Sequence, residues 1–199
     1  MKTLIEQMKE QICSKNESFC TGNHSIQIVS GELFSFTDPL SSNFTIEDIA
    51  HALSHVCRYS GHVKEFYSVA QHSVLVSHLV PPEYALLGLM HDATEAFLSD
   101  IPSPLKKILP DYCLIEKYIE TCILTKFNLP TSLPPDIKKA DILALVTERK
   151  SLLVPCSWGE LDKIVPLDME VIPLSPKESK QQFLDRWYEL QHQAGNESC

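Results

Sequence analysis

Apolar residues recur along most of the chain at the three-to-four-residue spacing of helices that bury one face. Leu4, Ile5, Met8 and Ile12 make residues 1–12 a short amphipathic stretch. The period breaks at 26–36, where Ile26-Gln27-Ile28-Val29 and Leu33-Phe34-Ser35-Phe36 flank Ser30-Gly31-Glu32. That pattern predicts a small β-hairpin with Gly31 in its turn. After a polar loop with Pro39, Thr45 to Cys57 reads as a helix opened by a Thr45/Asp48 capping box, with Ile46, Ile49, Ala50, Leu53 and Val56 on one face. Ser68 and Gln71 cap the next helix, which ends at Pro81-Pro82. A third helix is expected from about Glu83 to Leu98, then a proline-punctuated loop at 100–104, then helices near 112–127 and 136–153. Residues 155–174 show no period, and Ser175-Pro176-Lys177-Glu178 carries the signals that open a last helix. With no internal repeat, these elements predict an all-α fold with a small N-terminal β-hairpin. It forms one domain over 1–199, with a core at about 24–153 and an irregular segment plus C-terminal helix at 155–199.

Composition narrows the function classes. The 199 residues are 44% apolar and 22% charged, an ordinary globular balance. Lys and Arg number 17 against 26 Asp and Glu, a formal net charge of −9, so a basic footprint for duplex nucleic acid is absent. No apolar run reaches the ~18 residues of a membrane span, and the glutamates in MKTLIEQMKE do not suit a signal peptide. Seven cysteines (Cys13, Cys20, Cys57, Cys113, Cys122, Cys156, Cys199) are odd in number and lack any C-x-x-C. They read as small buried hydrophobes in a reducing compartment, the cytoplasm, rather than as a disulfide framework or zinc ribbon.

The candidate chemistry lies in His72, His91-Asp92 and Asp141, each set among apolar neighbours in a stretch expected to be helical. His91-Asp92 interrupts Ala85-Leu86-Leu87-Gly88-Leu89-Met90. An unpaired buried charge costs several kcal/mol, and a divalent cation bound by imidazole and carboxylate from separate helices would compensate that placement. For any one of these residues a hydrogen-bonded core position is the commoner explanation; four in this order favour a metal. His51 and His55 are spaced i, i+4 without an H-E-x-x-H pattern and read as a polar helix rim. Glu148, one heptad past Asp141, could orient a ligand or pair with solvent or with neighbours of Arg149.

The wider run resembles a known superfamily. Ile46-Glu47-Asp48-Ile49-Ala50-His51-Ala52-Leu53 leads to Cys57-Arg58-Tyr59-Ser60-Gly61-His62, then to Tyr67-Ser68-Val69-Ala70-Gln71-His72-Ser73. Leu89-Met90-His91-Asp92-Ala93-Thr94-Glu95-Ala96 and Ser99-Asp100-Ile101-Pro102-Ser103-Pro104-Leu105-Lys106 follow. This order is similar to the HD-domain metal-dependent phosphohydrolases, in the branch of bacterial 5′-deoxynucleotidases and phage deoxynucleoside triphosphohydrolases. The resemblance covers about residues 24–153.

The resemblance implies an HD-domain helical fold and one divalent cation (Mn, Co, Mg, Zn or Fe) on His72, His91, Asp92 and Asp141. It also implies hydrolysis of a nucleotide phosphate ester, commonly in a homo-oligomer. Glu95, on the helix face of His91 and Asp92, matches the family's general acid/base, with Asp100 as a second catalytic carboxylate. Asp100, Ile101, Pro102 and Ser103 match the substrate loop. Arg58 matches the arginine that orients the phosphate, and His62 belongs to a Gly-His pair at the substrate. Tyr59 stands where the nucleotidases carry Trp against the sugar. Lys106 could add a positive charge at the substrate, though a solvated surface lysine is the more ordinary reading. The expected activity is phosphate release from deoxynucleoside 5′-monophosphates, because few cations lie near the motifs. The alternatives are a triphosphohydrolase, on dATP for example, and a nucleotide-sensing module without turnover.

Overall fold

The computed structural model describes residues 2–196. The molecule is mostly helical with one two-stranded antiparallel sheet. Helix α1 (Leu4–Lys15) opens on a Thr3/Glu6 capping box, and a short α2 (Glu17–Thr21) follows. Strands β1 (Ser25–Gln27) and β2 (Leu33–Ser35) pair with Ile26 opposite Phe34. Gly31 sits at φ 90° in the turn between them, where a side chain would be strained. The hairpin and its turn residue are as the pattern predicted.

Four helices surround the future site. Helix α3 (Ile46–His55) carries the Thr45/Asp48 capping box, and α4 (Val69–Leu79) starts on Ser68, whose hydroxyl accepts from the Gln71 amide. Helix α9 (Pro135–Leu152) begins on a proline that needs no donor there. Helix α10 (Pro176–Asn196) begins where Ser175 Oγ accepts from the Glu178 amide. Helix α4 packs against α3, α9 and α10, and its residues Val69, Ala70, Val74 and Val76 lie in the main apolar core with Ile49, Leu53, Phe183 and Trp187. The central helix therefore delivers His72 to a fully dry position.

The helix expected over 83–98 is broken. It divides into α5 (Ala85–Met90), which packs on α4, and a single-turn α6 (Glu95–Leu98), with turns over His91–Thr94 between them. The cause is local. His91 Nδ1 takes the Gly88 carbonyl at 2.8 Å. That carbonyl would otherwise accept from the Asp92 amide, and the bonds that follow (Ala93 to Met90, Glu95 to Asp92) span three residues instead of four. Helix α6 is held by the hairpin, since Phe34 of β2 stacks on Phe97 at 3.7 Å between ring centroids and Phe44 meets both edge-on.

The loop expected at 100–104 is shorter than its prolines suggest, because α7 (Ser103–Lys106) starts inside it. Helix α8 (Pro110–Lys126) follows and packs against α1. Residues 153–174 are irregular apart from one 3₁₀ turn, as expected, and Val171 joins Tyr67 and Leu152 in a second small apolar cluster. The reading of the cysteines as buried thiols holds for Cys122 alone: Cys57 and Cys113 are half-buried, Cys156 is exposed, and Cys13 is engaged in a disulfide. Cys199 and the side chain of Cys20 lie outside the described residues. No described helix is long and apolar enough to cross a membrane.

Candidate metal centre

Two helices and a turn bring the sequence-predicted ligands together. His72 comes from α4, His91 and Asp92 from the break after α5, and Asp141 from α9. One ligand atom from each of His72, His91 and Asp141 lies within 4.8 Å of the others, a group able to hold a metal ion. Asp92 borders it, with Oδ2 at 3.2 Å from His91 Nε2 and 3.6 Å from His72 Nε2.

Both imidazoles are turned to present Nε2. His72 Nδ1 lies 2.6 Å from Glu148 Oε1, and an ionised carboxylate only accepts, so Nδ1 carries the proton. His91 Nδ1 donates to the Gly88 carbonyl. The two Nε2 atoms are buried without a hydrogen-bond partner, although Asp141 Oδ1 is 3.3 Å from that of His72. A lone pair facing a carboxylate needs a proton or a cation between them, and two imidazoles with two carboxylates form a mixed shell that suits several divalent metals. The residues fit the ion that the sequence implied. Without it, burial and Arg58 oppose a charged His72, but Glu148 and Asp141 outweigh them and push the ring up to about 9. Burial likewise works against Asp92 and Asp141, and the two histidines nevertheless hold both carboxyls far below the ordinary range.

Glu148 is neither solvated nor paired with neighbours of Arg149. It is 0% exposed and accepts four bonds: His72 Nδ1 and Tyr67 Oη on Oε1, Arg58 Nε and Tyr59 Oη on Oε2. Burial opposes its charge, but Arg58 and His72 hold it down at about 2. Arg58 is buried and ion-paired, with Nη1 also 3.7 Å from Asp92. Tyr59 occupies left-handed backbone (φ 55°), as do Ser60 and Gly61, and its hydroxyl is tied to Glu148 and to the Leu145 carbonyl. Such a turn costs roughly 1–3 kcal/mol per strained residue and persists where neighbours over-determine it.

Beside the cluster opens a cleft of about 430 Å³. His91, Asp92 and Asp141 line it with Glu95 and Lys106, and Leu133, Pro134, Pro135 and Ile137 form an apolar wall. Glu95 is 4% exposed; its Oε2 has no partner, and Oε1 lies 3.7 Å from Lys106 Nζ. Burial, then Asp92 and Asp100, raise its carboxyl well above the usual range. Asp100 is half-buried and raised mainly by burial. Lys106 is no free surface residue: its ammonium bonds Glu116 at 2.6 Å inside the cleft. Arg58, Tyr59, His62, Asp100, Ile101, Pro102 and Ser103 do not line this cleft, and His62, Pro102 and Ser103 are exposed. His51 and His55 stack at 4.3 Å, and His55 Nδ1 bonds the His51 carbonyl.

Sequence reasoning missed Glu116, Lys117, Glu120 and the Leu133–Lys138 wall, which reach the cleft by tertiary packing and carry no motif. The sole local signal for Tyr67 is its place before the helix that bears His72.

No family model matches the chain. Among curated proteins it is similar to uncharacterized protein YfdR of Escherichia coli (strain K12), 44% identical over 168 residues that span 83% of this chain and 94% of that one. It is also similar to an uncharacterized protein of Rhodobacter capsulatus, 34% identical over 124 residues, 57% of this chain and 63% of that one. Neither printed name states an activity.

Proposed function

The chain belongs to the family of the Escherichia coli protein YfdR, and we propose that it is a metal-dependent phosphohydrolase of the HD-domain type that acts on nucleotides, releasing phosphate from deoxynucleoside 5′-monophosphates. One observation carries the proposal. Two buried imidazole Nε2 atoms without partners converge with Asp141, next to the buried carboxyl of Glu95, whose Oε2 also has no partner.

His72, His91, Asp92 and Asp141 would hold the divalent ion, which when bound polarises a phosphate oxygen and acidifies a water. The chain's own groups divide the remaining work. Glu95 enters as the acid: as water adds to phosphorus and the P–O5′ bond breaks, its proton passes to the leaving 5′ oxygen. Asp100 follows the same helix outside the cleft lining and is the second candidate for the proton that the water gives up. Lys106, fixed by Glu116, supplies positive charge where the phosphate sits. Arg58 acts from behind the ligands by neutralising Asp92 and Glu148. The nucleoside lies along the Leu133–Ile137 wall.

The cleft's charges support the monophosphate over the triphosphate. Its three lysines are already matched by carboxylates, Lys106 by Glu116, Lys117 by Glu120 and Lys138 by Asp141. Beyond the charge that Lys106 lends to one phosphate, these matched lysines offer little to a long polyphosphate. The same reading places the protein in the cytoplasm with its nucleotide substrates, as a homo-oligomer of the kind the resemblance implies. The test is incubation with deoxynucleoside mono- and triphosphates in the presence of Mn²⁺, Co²⁺ or Mg²⁺, with products resolved by chromatography. Nucleoside plus phosphate from the monophosphate is expected; triphosphate release would move the assignment to the alternative.

A further inference from the structure

We infer that Glu148 is a positioning residue that sets the tautomer of His72 and couples the metal ligands to Arg58; the inference rests on the metal-dependent reading above. A carboxylate has about four lone-pair sites, and those of Glu148 meet four donors, two on each oxygen, in a position with no access to water. A residue needed only to neutralise Arg58 would not also have to reach His72 at 2.6 Å. Because the acceptor on the Nδ1 side carries no proton to give, His72 must donate there, and its lone pair is directed at Asp92 and Asp141. Removing that acceptor frees the ring to protonate Nε2 instead, which ends ligation through that atom.

The same carboxylate holds the backbone that brings Arg58 up to Asp92. Its other oxygen binds Arg58 Nε and the hydroxyl of Tyr59, whose left-handed conformation is thereby tied to α9. A glutamine at 148 has one acceptor oxygen and one donor amide; the charged Arg58 guanidinium takes the oxygen, which turns a donor toward His72 Nδ1 and removes the acceptor there. Tyr67 bonds the same oxygen as His72 without touching a ligand, which makes it the internal control.

The experiment compares Mn²⁺ affinity by calorimetry in wild type, Glu148→Gln and Tyr67→Phe, with melting curves for each. Glu148→Gln should bind Mn²⁺ about 10–100-fold more weakly, the usual scale for a residue that orients a ligand, whereas Tyr67→Phe should lower the melting temperature yet keep affinity within a few-fold. In the Zn²⁺-loaded wild type, ¹H–¹⁵N spectra should show the His72 proton on Nδ1. Equal Mn²⁺ affinity in wild type and Glu148→Gln, or an equal loss in Tyr67→Phe, overturns the positioning role. A wild-type chain that takes up neither Mn²⁺ nor Zn²⁺ overturns the metal reading itself, and the inference with it.

Discussion

Nε2 of His72 lies 3.3 Å from Oδ1 of Asp141 while the opposite ring nitrogen is already committed to Glu148. The gap can be closed by a second proton on the ring or by a cation. The two compete, and that competition makes the site's occupancy depend on pH.

His72 is raised to about 9 when no metal is bound. Its protonation therefore stabilises the metal-free fold fully below the ordinary histidine value of 6.5, and that contribution is lost as pH rises through 9. Metal uptake at pH 7 should displace this proton. Calorimetry in buffers of different ionisation enthalpy should show about one proton released per Mn²⁺ at pH 7 and progressively less above pH 9. No proton release at pH 7 would contradict the geometry.

Asp92→Asn and Asp141→Asn should each strip the metal, because a neutral amide is a poor ligand for a hard divalent ion. Mass spectrometry should find substoichiometric metal in both variants, and saturating Mn²⁺ should no longer raise their melting temperature. In wild type, metal at 100 times its Kd adds about 2.7 kcal/mol of stability. Stoichiometric metal in both variants would remove these two ligands.

Glu148 sits at about 2 in the fold against an ordinary 4.5. A depressed carboxyl stabilises above its unfolded value, and that stability is lost as pH falls through its folded value. The difference corresponds to about 3 kcal/mol lost between roughly pH 4.5 and 2. Denaturant melts of the metal-free protein should show this loss, and Glu148→Gln should flatten it. Arg58→Ala takes the guanidinium away from the buried Glu148 carboxylate, which keeps His72, Tyr67 and Tyr59, so it should cost up to about 3–5 kcal/mol, an effect on folding beyond any on KM.

Ser99 closes α6 at φ 64°, ψ 166°, a region nearly restricted to glycine, between Glu95 and Asp100. Ser99→Gly trades about 1–3 kcal/mol of relieved strain against about 0.5–1 kcal/mol of lost backbone order. A net gain of about 1 kcal/mol in a chemical melt is expected. Destabilisation would mean that the serine side chain stabilises the turn.

Much of this was legible in the sequence where one local signal settles one local choice. The capping pairs at Thr45, Ser68 and Ser175 mark true helix starts, and Gly31 marks the hairpin turn. The convergence of His72, His91 and Asp141 was legible because buried His and Asp need a reason to be there. The break at His91–Thr94 was not, since it arises from a side chain bonding its own helix, and apolar spacing is blind to that competition. Glu148 showed its heptad spacing but not its four donors, all of which come from outside α9: His72 on α4, Tyr67 just before it, and Arg58 and Tyr59 at a left-handed turn with no sequence period. Lys106 looked like a surface lysine because Glu116, its partner, lies across an interhelical contact rather than at helical spacing.

Glu95→Gln should retain metal and nucleotide binding but lower kcat about a hundredfold or more, the scale of a general acid. As that acid, Glu95 should also set the alkaline limb of the kcat profile, since activity falls where it finally ionises. Wild-type kcat in the variant would shift attention to Asp100.

The central claim is that one cation on His72, His91, Asp92 and Asp141 serves phosphate-ester hydrolysis. Mn²⁺ titrated into metal-free protein, with phosphate release from a deoxynucleoside 5′-monophosphate followed at each step, tests it most directly. Activity should rise to a plateau at one equivalent in wild type and stay at background for Asp141→Asn at every concentration. Full activity in the presence of chelator, or no hydrolysis of any nucleotide by protein carrying one bound metal, would contradict it.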